Sequence, residues 1–266
     1  MINISAQTVN LKANYQSLKM DFIFDSVYEG LTQARIYVNN PEKHSISIVH
    51  EGVAYYFGGE SKTANEYHET VNYFKSVILP DRNPKMKVAK IIFTSEIWKE
   101  LLLEAFADLE VKVIGSNLYH HRLSIIPEYQ PVDSKIDILR ITDQLLSRQY
   151  QNKQGLVNEI NWMWGSAENF YRHGFGFCGV TGTTITGWCT AEYMSKRACG
   201  IGVETVKQFQ KQGVASSTAT KLLQHCAQRN IKPHWNCWVS NIPSVKTAEK
   251  CGFEKLLEYK VIFIKF

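Results

Sequence analysis

No cysteine precedes Cys178; all six fall in the later part of the chain, at Cys178, Cys189, Cys199, Cys226, Cys237 and Cys251. None stands in a Cys-x-x-Cys pair, which excludes a thioredoxin-type redox motif and a zinc ribbon. No apolar run reaches the eighteen or so residues that a membrane-spanning helix needs. The first residues, Met1 to Gln7, lack the basic and apolar regions of a signal peptide. There is no Gly-x-x-x-x-Gly-Lys-Ser/Thr, so a P-loop nucleotide enzyme is a poor fit. Basic residues are scattered rather than blocked with aromatics, and a net charge of +5 is too mild for a nucleic-acid footprint. No metal site is expected. Most of the cysteines sit on apolar stretches, where the thiol behaves as a small hydrophobe. Such buried thiols suit a reducing cytoplasm.

What remains is ordinary for a soluble globular chain: 266 residues, 44% hydrophobic and 21% charged, enough for one large domain or two small ones. The expected organisation is a smaller α/β domain over residues 1–130 and a second domain over 131–266. Apolar residues at helix-like intervals predict a helical start through about residue 35. Strands are expected at Ser45–Val49 and Val53–Phe57, closed by Gly58 and Gly59. A helix over Asn65–Leu79, a strand over Val88–Phe93 and a helix over Ser95–Asp108, capped by Ser95, follow. Val111–Ile114 and Leu123–Ile126 read as further strands. Pro127 to Ser134, with two prolines, reads as a linker. Beyond it come a strand at Ile136–Ile141, a helix through Tyr150, one or two helices over Gln154–Arg172, and a hairpin of Gly176–Val180 with Thr184–Ala191.

The most informative segment is Gln210-Lys211-Gln212-Gly213-Val214-Ala215. It lies between an apolar strand, Ala198–Val206, and a helix with Ala215, Ala219, Leu222, Leu223 and Cys226 on one face. A loop there aims backbone N–H groups and a helix N-terminus at one point, which attracts phosphate. A small-residue turn before a helix also arises from packing alone. A second element follows: the strand pattern Trp235–Val239, then Asn241-Ile242-Pro243-Ser244 and Gly252-Phe253. Pro243 suits a first helical turn and Gly252 the position past a helix end.

Strand, Gln-x-x-Gly-x-Ala, long helix, strand, Asn-x-Pro-Ser, short helix and Gly-Phe, in that order, resemble the GNAT N-acetyltransferase superfamily over residues 133–266. Glu168-x-Phe170, Gly174-Phe175-Gly176-Phe177-Cys178 and Pro233-x-Trp235 are similar to the subgroup that carries an extra N-terminal region and includes zwittermicin-type resistance acetyltransferases. The resemblance implies an α/β fold with a mixed (α+β) sheet: a C-terminal acyl-CoA acyltransferase domain, preceded by either a degenerate GNAT-like half or an unrelated lid. It implies transfer of an acetyl group from acetyl-CoA to a primary amine, with those two molecules as partners and neither nucleic acid nor membrane involved. Dimers are common in the superfamily, which leaves a homodimer open.

On this resemblance the backbone of residues Lys211, Gln212, Gly213, Val214, Ala215 and Ser216 holds the diphosphate, with Gln210 in place of the usual arginine and Ser216, Ser217 or Thr218 adding hydroxyl donors. Lys207 and Lys211 could add charge or be plain solvated residues. Val203 and Thr205 bind the pantetheine arm as a neighbouring strand would. Asn241 and Ser244 contact the same arm or serve the helix entry. A base must deprotonate the amine; Glu204 is the first candidate and Glu192 the second, with His173 and His234 weaker. Many GNAT enzymes place a tyrosine where this chain has Ala248, which leaves Tyr259 or a water as the proton donor to the thiolate. Trp162, Trp164, Phe170, Tyr171, Phe175 and Phe177 are acceptor-wall candidates or core. A non-catalytic acyl-CoA-binding regulator and a protein amine acetyltransferase remain as alternative readings.

Overall fold

The computed structural model describes residues 1–5, 11–128 and 135–266. Two compact units are resolved: Met1–Ser116 together with Leu257–Phe266, and Asn117–Leu256. Both are built on mixed sheets, as expected.

The first unit opens with β1 (Ile2–Ile4), a 3₁₀ stretch (Lys12–Leu18), α1 (Asp21–Tyr28) and β2 (Arg35–Val38). β3 (Ile46–His50) and β4 (Tyr55–Gly59) make a hairpin. α2 (Ala64–Tyr73) runs into a π-helical turn at Phe74–Ile78, and β5 (Val88–Phe93), α3 (Glu96–Ala105) and β6 (Glu110–His120) follow. β1, β2, β3 and β4 pair antiparallel in sequence, whereas β4 and β5 run parallel. Val261–Lys265 of the final strand pair antiparallel with β5, from Val261↔Ile92 to Lys265↔Val88. That pairing binds the end of the chain to the first unit, so the compact units divide at other points than the expected 130/131 boundary. The core of the first unit holds the fully buried Phe57, Phe74, Trp98 and Phe106. Trp98 packs edge-on against Phe57 and Tyr67 at 5.5 and 4.7 Å and donates its Nε1–H to Gly59 O at 3.3 Å.

Several expectations for this half need correction. The first 35 residues are not one helical region. Ile2–Ile4 pairs with Ile36–Val38, and the helical part is a 3₁₀ stretch and a short α1. A strand at β2 is fixed by partners on both sides, which local periodicity does not report. Gly58 and Gly59 lie inside the β3–β4 ladder, opposite Ser47 and Ile46. Ser95 occupies the cap position of α3, but its side chain makes no capping bond. Leu123–Ile126 is no strand: Leu123 adopts φ 63° and Ile125 is 81% exposed. An apolar, β-branched run without a neighbouring strand has no ladder to join. The linker expected at 127–134 lies outside the described residues from 129 on.

The second unit contains β7 (Asp137–Arg140), α4 (Asp143–Ser147), α5 (Lys153–Trp164), α6 (Ala167–His173), β8 (Gly176–Thr181), β9 (Thr184–Glu192) and β10 (Ala198–Thr205). α7 (Val214–Arg229), β11 (Lys232–Trp238), α8 (Ile242–Lys250) and the start of β12 (Glu254–Lys265) complete it. Its strands stand in the order β7-β8-β9-β10-β11. All neighbours are antiparallel except β10 and β11. α7 packs on β8, β9 and β10 and buries Ala219, Leu222, Leu223 and Cys226 completely. The apolar face legible in the sequence is thus the face that meets the sheet. All six cysteines are buried free thiols. No helix among the described residues is long and apolar enough to cross a membrane.

Candidate active site

β10 is paired on both sides only at its start. Its parallel register with β11 covers Ala198↔Lys232 to Ile201↔Trp235 and stops there, while its antiparallel register with β9 runs on from Gly200↔Glu192 to Thr205↔Gly187. Gly202 to Thr205 therefore have a strand partner on one side. The Val206 N–H donates to Thr186 O at 3.0 Å, on the β9 side. Backbone groups alternate along a strand, so Glu204 and Gly202 also face β9. Val203 and Thr205 turn their N–H and C=O groups to the open side. Gln210 Nε2 reaches Thr205 O at 3.5 Å, and the Thr205 hydroxyl oxygen is buried without a hydrogen-bond partner.

A cavity of about 490 Å³ opens along this unpaired edge. Its far wall is the start of α7. Lys211 and Gly213 both take left-handed backbone, φ 63° and 84°, a conformation that glycine adopts without cost. Gly213 is the N-cap and offers no side-chain cap. The first intrahelical bond is Ser217 N–H to Gly213 O, so the N–H groups of Val214, Ala215 and Ser216 have no helical acceptor. No acidic residue stands in that first turn, and the sixteen-residue helix adds the positive end of its dipole. Ser216 Oγ donates back to Gly213 O at 2.9 Å, and Thr218 Oγ1 to Val214 O at 3.0 Å. Their hydroxyl hydrogens are thereby committed within the helix, which leaves the backbone as the donor set facing the cavity.

Gly187 on β9 makes this close approach of β10 and α7 feasible. A methyl group there would lie 2.6 Å from Glu204 O, 2.9 Å from Val214 Cγ1 and 3.0 Å from Thr205 Cα. The third wall is α8. Asn241 is its N-cap and accepts from the Ser244 N–H at 3.2 Å. Its carboxamide oxygen is thus used at the helix entry and its NH₂ remains as a donor. Ser244 Oγ accepts from Trp235 Nε1 at 3.0 Å, which ties α8 to β11. Of the expected cofactor residues, Val203, Thr205, Gln210, Lys211, Gly213, Val214, Ala215, Ser216, Asn241 and Ser244 line the cavity, whereas Lys207, Ser217 and Thr218 do not, nor does Gln212, whose amide turns to Gln208 O at 3.1 Å.

The opposite face of β10 is acidic. Glu204 pairs with Trp188, Gly202 with Thr190 and Gly200 with Glu192, and paired residues share a face. α5 covers this face: Thr190 Oγ1 donates to Glu159 Oε1 at 3.0 Å. Gly202 lets these carboxylates lie close over the strand: a Cβ there would displace the Glu192 carboxylate and lie 3.2 Å from Glu159 Oε1. Burial pushes the Glu159 carboxyl above its ordinary pKa and the Glu204 charge adds to this. The Trp188 indole N–H, buried without a closed hydrogen bond, and the Thr190 hydroxyl oppose it. Glu204 acts on both sides: it lines the cavity and its charge reaches Glu159.

Sequence reasoning missed Glu159. It falls four residues after Gly155, whose Cβ position would lie 3.0 Å from the Trp188 ring, and beside the buried Leu156 and Ile160. A carboxylate flanking an apolar stripe was the available signal. Glu192 lies over Gly202 but does not line the cavity. Tyr259 is a buried residue of the β12 segment that belongs to the first unit, whereas every cavity residue belongs to the second. His234 is buried in β11, and burial, with Lys232 nearby, pulls it down to about 4. His173 ends α6 and is exposed. Trp164, Phe170 and Phe175 are core: Trp164 donates to Ala191 O at 3.1 Å and packs on Phe170 at 5.9 Å. Trp162 is 64% exposed.

The family model for GNAT acetyltransferases matches residues 12–262, well beyond the 133–266 segment in which the motifs lie. An uncharacterized N-acetyltransferase of Bacillus subtilis, YdfB, is 21% identical over 262 residues, 95% of this chain and 96% of that protein. Among solved structures, a GCN5-related N-acetyltransferase-like protein from Streptococcus suis superposes with a TM-score of 0.67 at 18% identity, covering 92% of this chain and 93% of that one. A GCN5-related N-acetyltransferase from Sphaerobacter thermophilus gives 0.65 at 10% identity, over 99% and 95%. A tandem GNAT protein from the clavulanic acid biosynthesis pathway gives 0.61 at 8% identity, over 99% and 97%. These structural likenesses speak to the fold.

Proposed function

This chain belongs to the GNAT acetyltransferase family, and we propose that it moves an acetyl group from acetyl-CoA to a primary amine of a small molecule by direct attack on the thioester. The observation that carries this reading is the unpaired edge of β10 beyond Ile201, set against the bare N-terminus of α7. An extended arm with amide groups can add to that edge as a strand, through the backbone of Val203 and Thr205. A diphosphate suits the three unsatisfied N–H groups of Val214 to Ser216, with Gln210, Lys211, Gln212 and Gly213 shaping the turn. The Asn241 NH₂ and Ser244 border the same arm. Acetyl-CoA, held this way, supplies a thioester carbonyl that backbone donors of β10 can polarise.

An ammonium must lose its proton before it can attack. The pair Glu204 and Glu159 fits this role. Glu204 stands at the cavity, and Glu159 is held at a raised pKa beside it, which makes it the stronger base. Glu192, over Gly202, adds negative potential that draws a cationic amine to this face. On the leaving side, the fully buried Ala248 offers no acid. A thiolate is a fair leaving group without one, and with Tyr259 buried and outside the cavity lining a water is the proposed proton source. The narrower likeness to zwittermicin-type resistance enzymes favours an aminated natural product as acceptor. The buried free thiols support a reducing, cytoplasmic setting.

Calorimetry with acetyl-CoA, followed by an amine panel read by thiol release, tests the reading. Micromolar binding with turnover of a small amine is expected. Absence of binding overturns it. Binding without turnover on any amine favours a non-catalytic acyl-CoA sensor instead, which Ala248 would suit.

A further inference from the structure

The cavity has a second positive region that the chemistry above does not use. Lys246 and Lys250 line it from α8. They are four residues apart and so lie on one helix face. Among the described residues neither forms an ion pair within 4 Å, nor does Lys211 at the α7 turn. Among the lining residues the only carboxylate is Glu204, which belongs to the β10 edge. Like charges at this spacing weaken a helix slightly. The dipole favours Lys250 in the last turn but gives Lys246 no such support. An anion seated against the pair would relieve their mutual repulsion.

Two separate cationic regions in one cavity fit a ligand with two separate anionic groups. The first is the set of amides at Val214 to Ser216. The second is the lysine pair, with Thr247 between the two. A ligand that enters along β10 and rests its diphosphate on α7 continues toward α8. Pro243 supplies apolar lining there. Coenzyme A carries such a second group, the phosphate on its ribose 3′ oxygen.

We propose that Lys246 and Lys250 form a subsite for this 3′-phosphate and make the protein select CoA thioesters over their 3′-dephospho forms. The inference rests on the acyl-CoA reading and goes beyond it, since a diphosphate and pantetheine site alone would accept both forms. Both lysines are exposed, so each contact is screened and modest. Two of them amount to a preference of about tenfold at low salt, shrinking as ionic strength rises.

Calorimetric titrations of the full chain with CoA and with 3′-dephospho-CoA test this, in wild type and in the double variant Lys246→Gln, Lys250→Gln. The expected result is an approximately tenfold tighter wild-type complex with CoA that falls to parity in the double variant, with dephospho-CoA binding unchanged by the substitutions. Equal binding of the two ligands by wild type, or a preference that survives in the variant, overturns the proposal and leaves the acyl-CoA reading intact. Failure of wild type to bind either ligand overturns that reading itself. Should the double variant not fold, the salt series on wild type decides: a preference that is indifferent to salt refutes the lysine subsite.

Discussion

Gly187→Ala probes the point where the sheet and α7 come closest. The added methyl would lie 2.6 Å from Glu204 O and 3.0 Å from Thr205 Cα, against about 3.5–4.0 Å for an unstrained carbon contact. Two of its three nearest atoms are backbone of β10 and cannot rotate away. The third, Val214 Cγ1 at 2.9 Å, belongs to the first residue of α7. Relief therefore requires β10 and the α7 N-terminus to move by roughly 1 Å. Overpacking of this kind costs about 1–3 kcal/mol, and the upper end applies where backbone must give. The same displacement spoils the alignment of the open β10 edge with the α7 amides. A loss of about 1.4 kcal/mol in acetyl-CoA binding is about tenfold in affinity. Urea unfolding should show a lower midpoint at unchanged slope, and calorimetry a weaker complex. Gly182→Ala is the control. Gly182 has φ 54° and open space around it, so alanine there costs about 1 kcal/mol of backbone strain and leaves affinity alone. If Gly187→Ala unfolds at the wild-type midpoint and binds acetyl-CoA as tightly, the account of how the cavity is framed is wrong.

Glu159→Gln keeps an acceptor for the Thr190 hydroxyl and removes the charge. Because burial raises the folded-state pKa of Glu159, wild type loses stability as pH rises from the ordinary carboxylate range through that raised value. The variant escapes this, so its advantage should be absent in acid and grow toward neutral pH in unfolding curves, while acetyl transfer falls by about 10²-fold or more. Asn241→Ala should cost about 1 kcal/mol through the lost cap. Asn241→Asp should restore the stability but not acetyl-CoA affinity, because it keeps the oxygen and loses the NH₂; equal affinity would count against a ligand role for that amide. Trp98→Ala should destabilise the first unit by about 3–5 kcal/mol, visible as a lowered thermal midpoint.

What could be read ahead of the structure follows from how local each feature is. Gly213, Pro243 and Gly252 mark helix ends because each suits a backbone conformation that other residues resist, and the helices α7 and α8 begin and end beside them. Val203 and Thr205 were reachable through the family resemblance, and strand alternation then puts their backbone groups on the open edge. Residues 1–35 misled for the opposite reason. Their apolar spacing is helical by count, but β1 and β2 exist because each has the other as partner. Leu123–Ile126 has strand-forming side chains and no strand beside it. Glu159 carried only the weak signal of a carboxylate beside an apolar stripe, because its meaning depends on which strand α5 covers, a fact of packing rather than of spacing.

β10 explains why these signals meet at one place. Along Gly202-Val203-Glu204-Thr205 the two faces and the free edge have different tasks. The α5 face carries Glu204 and leaves Gly202 bare so that Glu192 and Glu159 can lie over it. The α7 face is held close by Gly187. The edge between them is open because β11 stops pairing at Trp235. A carboxylate pair and bare amides in contact would hydrogen-bond and satisfy each other, leaving neither for a ligand. Separated by the thickness of a single strand, they can act on opposite ends of one reaction, with the acid face receiving a cation and the amide face an anion. At position 187 an added methyl meets the backbone of β10, which is why glycine stands there; at position 202 it would push the Glu192 carboxylate off the face that receives the cation.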